Sequence, residues 1–318
     1  MCYYRLILIV LLISFRGEAY RGLFVQKNVQ SQRHLQVEAR GTDSLKGDFL
    51  ALDFDGVVCD SSPESSVSAI KAIDKIWGLK TDGEEFETIK RILMELRPIV
   101  ETGYENILLA RLALQEIRVT GKFDTELILS TWSALLRDSF VEKYGVDKQT
   151  LVNTFGETRD HFIATEFQRW LDLNPLFPGI EDTFHKLRRS DFDLDNFFII
   201  TTKQERFVRE ILKSKDLLLP QDTNLYGLEN KIGSKAEVLL HLTNNRLKEG
   251  HRIHFVEDRV ETLVKIASTP GLEGVKLYLV DWGYTTPGQK QVAEANEKIE
   301  IIGREQFDGI CERFSGAS

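Results

Sequence analysis

Short apolar runs separated by a long helical stretch set the layout of the chain. Phe49-Leu-Ala-Leu52, Phe197-Phe-Ile-Ile200, Arg252-Ile-His-Phe-Val256 and Val275-Lys-Leu-Tyr-Leu-Val280 are brief and mostly apolar. Runs of that length predict strands buried on both faces, as in a parallel sheet covered by helices. Lys298 to Ile302 reads as a further short strand and Arg304 to Phe314 as a closing helix. Between residues 65 and 172 the period is helical and no strand is predicted. Val67, Ile70, Ile73 and Trp77 share one face, Phe86, Ile89, Leu93 and Leu96 another, and Trp132, Leu135 and Leu136 begin a third. Pro175-Leu-Phe-Pro178-Gly179-Ile180 marks the return to the sheet, as a turn before a helix with Ile180, Phe184 and Leu187 as its buried stripe.

The pattern predicts an α/β fold: a three-layer, Rossmann-like parallel sheet core made of residues 46–61 and 173–318, with an all-helical domain inserted at 62–172. Residues 1–45 stand apart. One positive charge in Met1 to Arg5 precedes the apolar run Leu6 to Phe15, and Gly17 and Ala19 follow. That reads as a signal-like segment, too short to span a bilayer comfortably. The polar, basic stretch that follows makes the whole resemble a two-part plastid presequence; secretion or a mitochondrial presequence are the other readings. No stable membrane span is expected in the mature protein.

Composition narrows the function. With 42% hydrophobic residues in 318 the chain buries a real core, and a net charge of -8 argues against nucleic acid as a partner. Three cysteines, Cys2, Cys59 and Cys311, form neither a disulfide framework nor a metal cluster, and Cys59 reads as a small buried residue. His254 reads as a core histidine, and the Glu157, Arg159, Asp160, His161 cluster as a solvated face.

Chemistry sits at the strand ends. Asp53 and Asp55 follow the first strand and Gly56 follows them, and in an open α/β sheet the ligand crevice lies outside the carboxyl ends of the strands. One such carboxylate can attack while the other handles a proton, if a cation suppresses their repulsion. Thr201 and Thr202 close the second strand with hydroxyls, which at a strand end is by itself unremarkable and gains weight only from following Asp53. Lys235 stands at the start of a helix capped by Ser234, an unfavourable place for a cation unless an anion holds it; Lys203 and Lys231 are its rivals. Glu257 and Asp258 close the strand at 252–256, with Glu261 nearby. In the helical insert, Pro98 is expected to start a helix that places Glu101 and Tyr104 on one face beside Arg97, either leaning over the site or forming a solvated joint.

Asp53-Phe-Asp55-Gly-Val57, extended by Asp60-Ser61, resembles the first motif of the haloacid dehalogenase-like hydrolase superfamily in its phosphoglycolate phosphatase-like branch. Thr201, Lys235 and Asp258 match the later motifs in order, so the resemblance runs from about residue 48 to the end. It implies a helical cap over the core and a phosphatase acting on a small phosphorylated metabolite. Mg²⁺ would be held by Asp53, the Asp55 carbonyl and Asp258; Asp53 would be the nucleophile, Asp55 the acid and base, and Thr201 and Lys235 the phosphoryl ligands. Arg97, Glu101, Tyr104 and Thr202 are the candidate substrate contacts. Glu257 departs from the pattern, since many relatives have Gly there, and either Glu257 or Glu261 is left to supply a second metal-shell acid. A phosphomutase on the same site, and an idle scaffold binding a partner through the cap, are the competing readings; the four converging charges argue against the scaffold.

Overall fold

The computed structural model describes residues 44–316. Most of the presequence expected over residues 1–45 lies outside the described residues. Leu45, by contrast, is buried in the core, and its amide donates to Arg313 O at 3.2 Å.

The chain runs β1 (Phe49–Leu52), then a helical series α1 (Ser62–Trp77), α2 (Gly83–Glu95), α3 (Glu105–Thr120), α4 (Thr125–Thr131), α5 (Ala134–Lys143) and α6 (Lys148–Asp172). The core resumes with α7 (Ile180–Arg189), β2 (Phe197–Ile200), α8 (Glu205–Ser214), β3 (Leu225–Tyr226) and α9 (Lys235–Asn245). It ends with β4 (Ile253–Glu257), α10 (Val260–Ala267), β5 (Lys276–Val280), α11 (Pro287–Glu294), β6 (Ile299–Ile302) and α12 (Arg304–Phe314). The six strands form one parallel sheet in the order β3-β2-β1-β4-β5-β6. Only β3, a two-residue edge strand, has no counterpart in the hydrophobic pattern, because two residues carry no period.

The sheet is apolar because both faces are covered. Leu50, Leu52, Phe197, Ile199, Val256 and Val280 face one helical layer, and Phe49, Ala51, Phe198, Ile200, Phe255 and Leu279 face the other. The inserted helices have a separate core built from Ile73, Leu93, Leu108, Leu112, Leu151 and their neighbours, and α1 packs against α2, α3 and α6.

Register decides where the chemistry goes. Leu52 pairs with Ile199 of β2 on one side and Val256 of β4 on the other. The residues following these three strands therefore emerge together at the carboxyl edge, with β1 at the centre.

Candidate active site

Asp53 continues the β1 ladder for one step, its amide donating to Val256 O at 2.9 Å. Its carboxylate then leaves the sheet, accepting the Phe54 amide at 2.7 Å and Lys235 Nζ at 2.9 Å. Lys235 reaches it from the first turn of α9, where Glu237 Oε2 accepts the Ser234 amide at 2.6 Å and the Ser234 hydroxyl at 2.7 Å. The same ammonium lies 2.6 Å from Glu257 Oε2. Glu257 Oε1 accepts the amides of Asp258 and Arg259, both at 3.1 Å. Asp258 Oδ2 accepts the Tyr284 amide at 3.0 Å, and the Thr285 hydroxyl donates to Asp258 O at 2.7 Å.

Gly56 shows how tightly this is packed. With φ at +90°, it is in a conformation that side chains avoid, and a Cβ there would lie 2.1 Å from Asp258 Oδ2.

Burial, reinforced by the Glu257 charge and opposed by Lys235, pushes the Asp53 carboxyl up to about 7. Burial also raises Glu257 and Asp258, with Lys235 opposing the first and the Asp53 charge adding to the second. Burial alone would lower the Lys235 ammonium, but Asp53 and Glu257 together hold it above its ordinary value. Asp53, Glu257 and Asp258 present carboxylate oxygens within 4.8 Å of one another, and all three are buried. Three acids against one ammonium is an excess of buried negative charge, and an oxygen-only donor set fits a hard divalent cation.

Asp55 has a different environment. Its carboxylate pairs with Lys203 Nζ at 3.2 Å. Burial would raise it, but Lys203, Arg97 and Arg159, with the Ser61 hydroxyl, hold it below the ordinary carboxylate value. Lys203 and Lys235 therefore divide the two acids between them, and Lys203, read from sequence only as a rival of Lys235, is the cation of Asp55. Thr201 Oγ1 accepts the Lys203 amide at 3.2 Å, and the Thr202 hydroxyl donates to Glu101 O at 3.0 Å.

The inserted helices close the other side. A cavity between them and the sheet edge is lined by Asp55, Arg97, Tyr104, Arg159, Thr202 and Lys203, among others. The helix expected to begin at Pro98 is a single 3-10 turn, Arg97–Ile99, and α3 starts only at Glu105. Glu101 and Tyr104 are thus loop residues, not neighbours on one helical face. Nor is the joint a solvated one. Arg97 lies half-buried with its guanidinium 4.3 Å from the Tyr284 ring centre, and Tyr104 is buried. Burial would lower Arg97, but Tyr284, Asp55, Asp258 and Asp53 together raise it. Glu101 is exposed, with Oε2 3.9 Å from Arg259 Nη1.

Arg159 is a further correction. It was expected on a solvated face with Glu157, Asp160 and His161, which are exposed, yet Arg159 is buried and its Nη2 lies 2.7 Å from Glu64 Oε2. Tyr284 was missed as a site residue. Its signal was available, since Trp282-Gly283-Tyr284 follows the end of β5 as the acids follow β1 and β4. Cys59 is buried, with a thiol that burial above all pushes up, as expected of a small core residue. His254 is buried and hydrogen-bonded to Tyr278 and Asp48, each at 3.0 Å, as a core histidine should be.

Neither a family model nor a curated protein matches the chain. Solved structures do. A "predicted phosphatase" from Clostridium acetobutylicum superposes with a TM-score of 0.50 at 16% identity, covering 83% of this chain and 97% of that one. A "predicted phosphoglycolate phosphatase" from Haemophilus somnus gives 0.47 at 16% identity, over 80% and 93%. A haloacid dehalogenase-like family hydrolase from Streptococcus pneumoniae gives 0.44 at 15% identity, over 82% and 96%. At such identities the first likeness speaks for the fold alone. The chain shares the fold of that predicted phosphatase: among the described residues, an α/β core of six parallel strands with a helical domain inserted behind the first.

Proposed function

We propose that this protein is a Mg²⁺-dependent phosphatase that hydrolyses a small phosphomonoester through an aspartyl-phosphate on Asp53. The observation that carries this reading is the division of the two acids: Asp53 is gripped by Lys235 and Asp55 by Lys203. Two carboxylates in one turn thereby have separate environments and can take separate roles.

Asp53, Asp258 and the Asp55 backbone carbonyl are the groups that would hold the cation, which when bound offsets the charge of the nucleophile and the phosphoryl oxygens. The Asp53 carboxylate attacks phosphorus as the bond to the leaving oxygen breaks, and Asp55 gives that oxygen its proton. An incoming phosphoryl group competes for Lys203 Nζ, which raises Asp55 toward the protonated form this step needs. In the second half Asp55, ionised and again beside Lys203, takes a proton from water while the water oxygen attacks phosphorus. The acyl-phosphate bond breaks, and Asp53 and phosphate are released. Thr201 and Lys235 bind phosphoryl oxygens, while Arg97, Glu101, Tyr104 and Thr202 border the space for the leaving group.

A screen of phosphorylated metabolites with and without Mg²⁺ tests the reading. Phosphate release that needs Mg²⁺ is expected, and Asp53→Asn abolishes it because an amide cannot form the acyl-phosphate. Near-normal turnover in that variant would overturn the assignment. Asp55→Asn, which removes proton transfer together with the charge facing Lys203, is expected to slow turnover by about 10²- to 10⁴-fold.

A further inference from the structure

Tyr284 takes part in none of these steps, yet it touches both the acid cluster at Asp258 and the inserted helices. Its backbone amide donates to Asp258 Oδ2 at 3.0 Å. Its hydroxyl donates to Asp60 Oδ1 at 2.5 Å and accepts the Ser62 amide at 3.2 Å. Ser62 opens α1, so this is where the chain leaves the sheet core for the inserted helices. Phe177, where the chain returns, sets its ring edge-on against Tyr284 at 6.2 Å between centres. The face of the tyrosine ring carries the Arg97 guanidinium from within the insert.

Backbone packing keeps the residue in place. A Cβ on Gly283 would lie 2.4 Å from Asp258 Cβ and 2.7 Å from Gly56 O, so the loop is pressed against the acid it supports. Tyr284 is itself only half-buried, so filling the core does not account for it.

We propose that Tyr284 is a positioning residue that seats the inserted helices over the site: its hydroxyl ties the outgoing crossing at Asp60 and Ser62, and its ring seats Arg97. Because the same residue holds Asp258 through its amide, closure and the acid cluster share one support. The kinetic consequence rests on the phosphatase reading; the conformational one does not.

A double-mutant cycle tests the first. Tyr284→Leu removes ring and hydroxyl and is expected to raise KM for a phosphomonoester by about 3- to 30-fold, with a smaller change in kcat, as loss of a cation–π seat predicts. Tyr284→Phe, which keeps the ring, restores most of that KM. Because the tyrosine acts through Arg97, Arg97→Ala raises KM less in the Tyr284→Leu background than in the wild type. An unchanged KM in Tyr284→Leu, or the same fold-effect of Arg97→Ala in both backgrounds, overturns the proposal. The second arm needs no substrate. Hydrogen exchange of the full chain is expected to quicken over residues 58–62 and 97–104 in Tyr284→Leu, and over 58–62 alone in Tyr284→Phe, which also covers the case in which the leucine variant fails to fold. No quickening at 58–62 in either variant sinks the tie. If no phosphomonoester is turned over but exchange responds as expected, the phosphatase reading fails and the positioning role stands.

Discussion

Glu257 and Asp258 are adjacent and both buried, yet their surroundings separate them. Glu257 has one oxygen on Lys235 and the other on two backbone amides, so its charge is already compensated. Asp258 gives Oδ2 to a single amide. On the Mg²⁺ reading proposed above, removing Asp258 would strip an anionic oxygen from a small cation that demands near-octahedral geometry, whereas removing Glu257 would act on it only by loosening Lys235. Asp258→Ala is therefore expected to raise the Mg²⁺ concentration for half-maximal activity much more than Glu257→Ala, and to weaken Mg²⁺ binding by calorimetry; equal shifts would mean that both acids ligate directly. At this scale the sequence revealed the position of each acid but not its partner. Asp53, Asp55, Thr201, Lys235 and Asp258 each follow a strand or open a helix, and local pattern shows that. Whether Lys203 or Lys235 meets Asp53, or why Glu257 stands where the resemblance puts a Gly, depends on contacts across 22 to 182 residues of chain, which no local pattern encodes.

The first two helices of the insert were visible from their apolar periodicity, but Trp132 ends one helix, Leu135 is exposed in the next, and the way the helices meet was not visible. Glu64 of α1 and Arg159 of α6 are both buried and join the first and last helices of the insert, with Arg159 Nε donating to Glu64 Oε1 at 2.9 Å. In sequence Arg159 sits within a charged run, and helical rotation alone does not say which member turns inward. A buried pair is costly to break from one side, because the remaining charge is left without a counterion. Arg159→Met is thus expected to destabilise the protein by about 3–5 kcal/mol in urea denaturation. Glu64→Gln with Arg159→Met, which removes both charges, is expected to recover much of that. A double variant as unstable as the single one would show that the arginine serves packing and not charge. Pro98 is a case of the opposite kind, where a local signal was over-read: proline admits a helix at its first turn but does not make one continue.

At the scale of the whole molecule, the alternation of layers followed from the hydrophobic pattern, since mostly apolar strands need cover on both faces. Leu45, which the sequence pattern places just ahead of the core, packs into it only through distant partners. Leu45 is buried, and Asp48 accepts from the Arg252 amide at 3.1 Å and pairs with His254 at 3.0 Å. A protein beginning at Ser44 is therefore expected to melt as a cooperative unit. One beginning at Phe49 loses about 1.5–3 kcal/mol of leucine burial, as well as the partner of a buried imidazole. The same imidazole gives the pH dependence a sign. Burial holds His254 below its ordinary value against the pull of Asp48, with Arg313 and Lys276 also lowering it and the Tyr278 hydroxyl at its other nitrogen. The folded chain thus resists a proton that the unfolded chain accepts below about pH 6.5, so this group costs no stability above that value and progressively more as pH falls below it. The melting temperature of the Ser44 protein is expected to drop between pH 7 and pH 5.5, and His254→Gln, which cannot take up the proton in either state, is expected to flatten that slope. An equal slope in the two proteins would place the titration elsewhere.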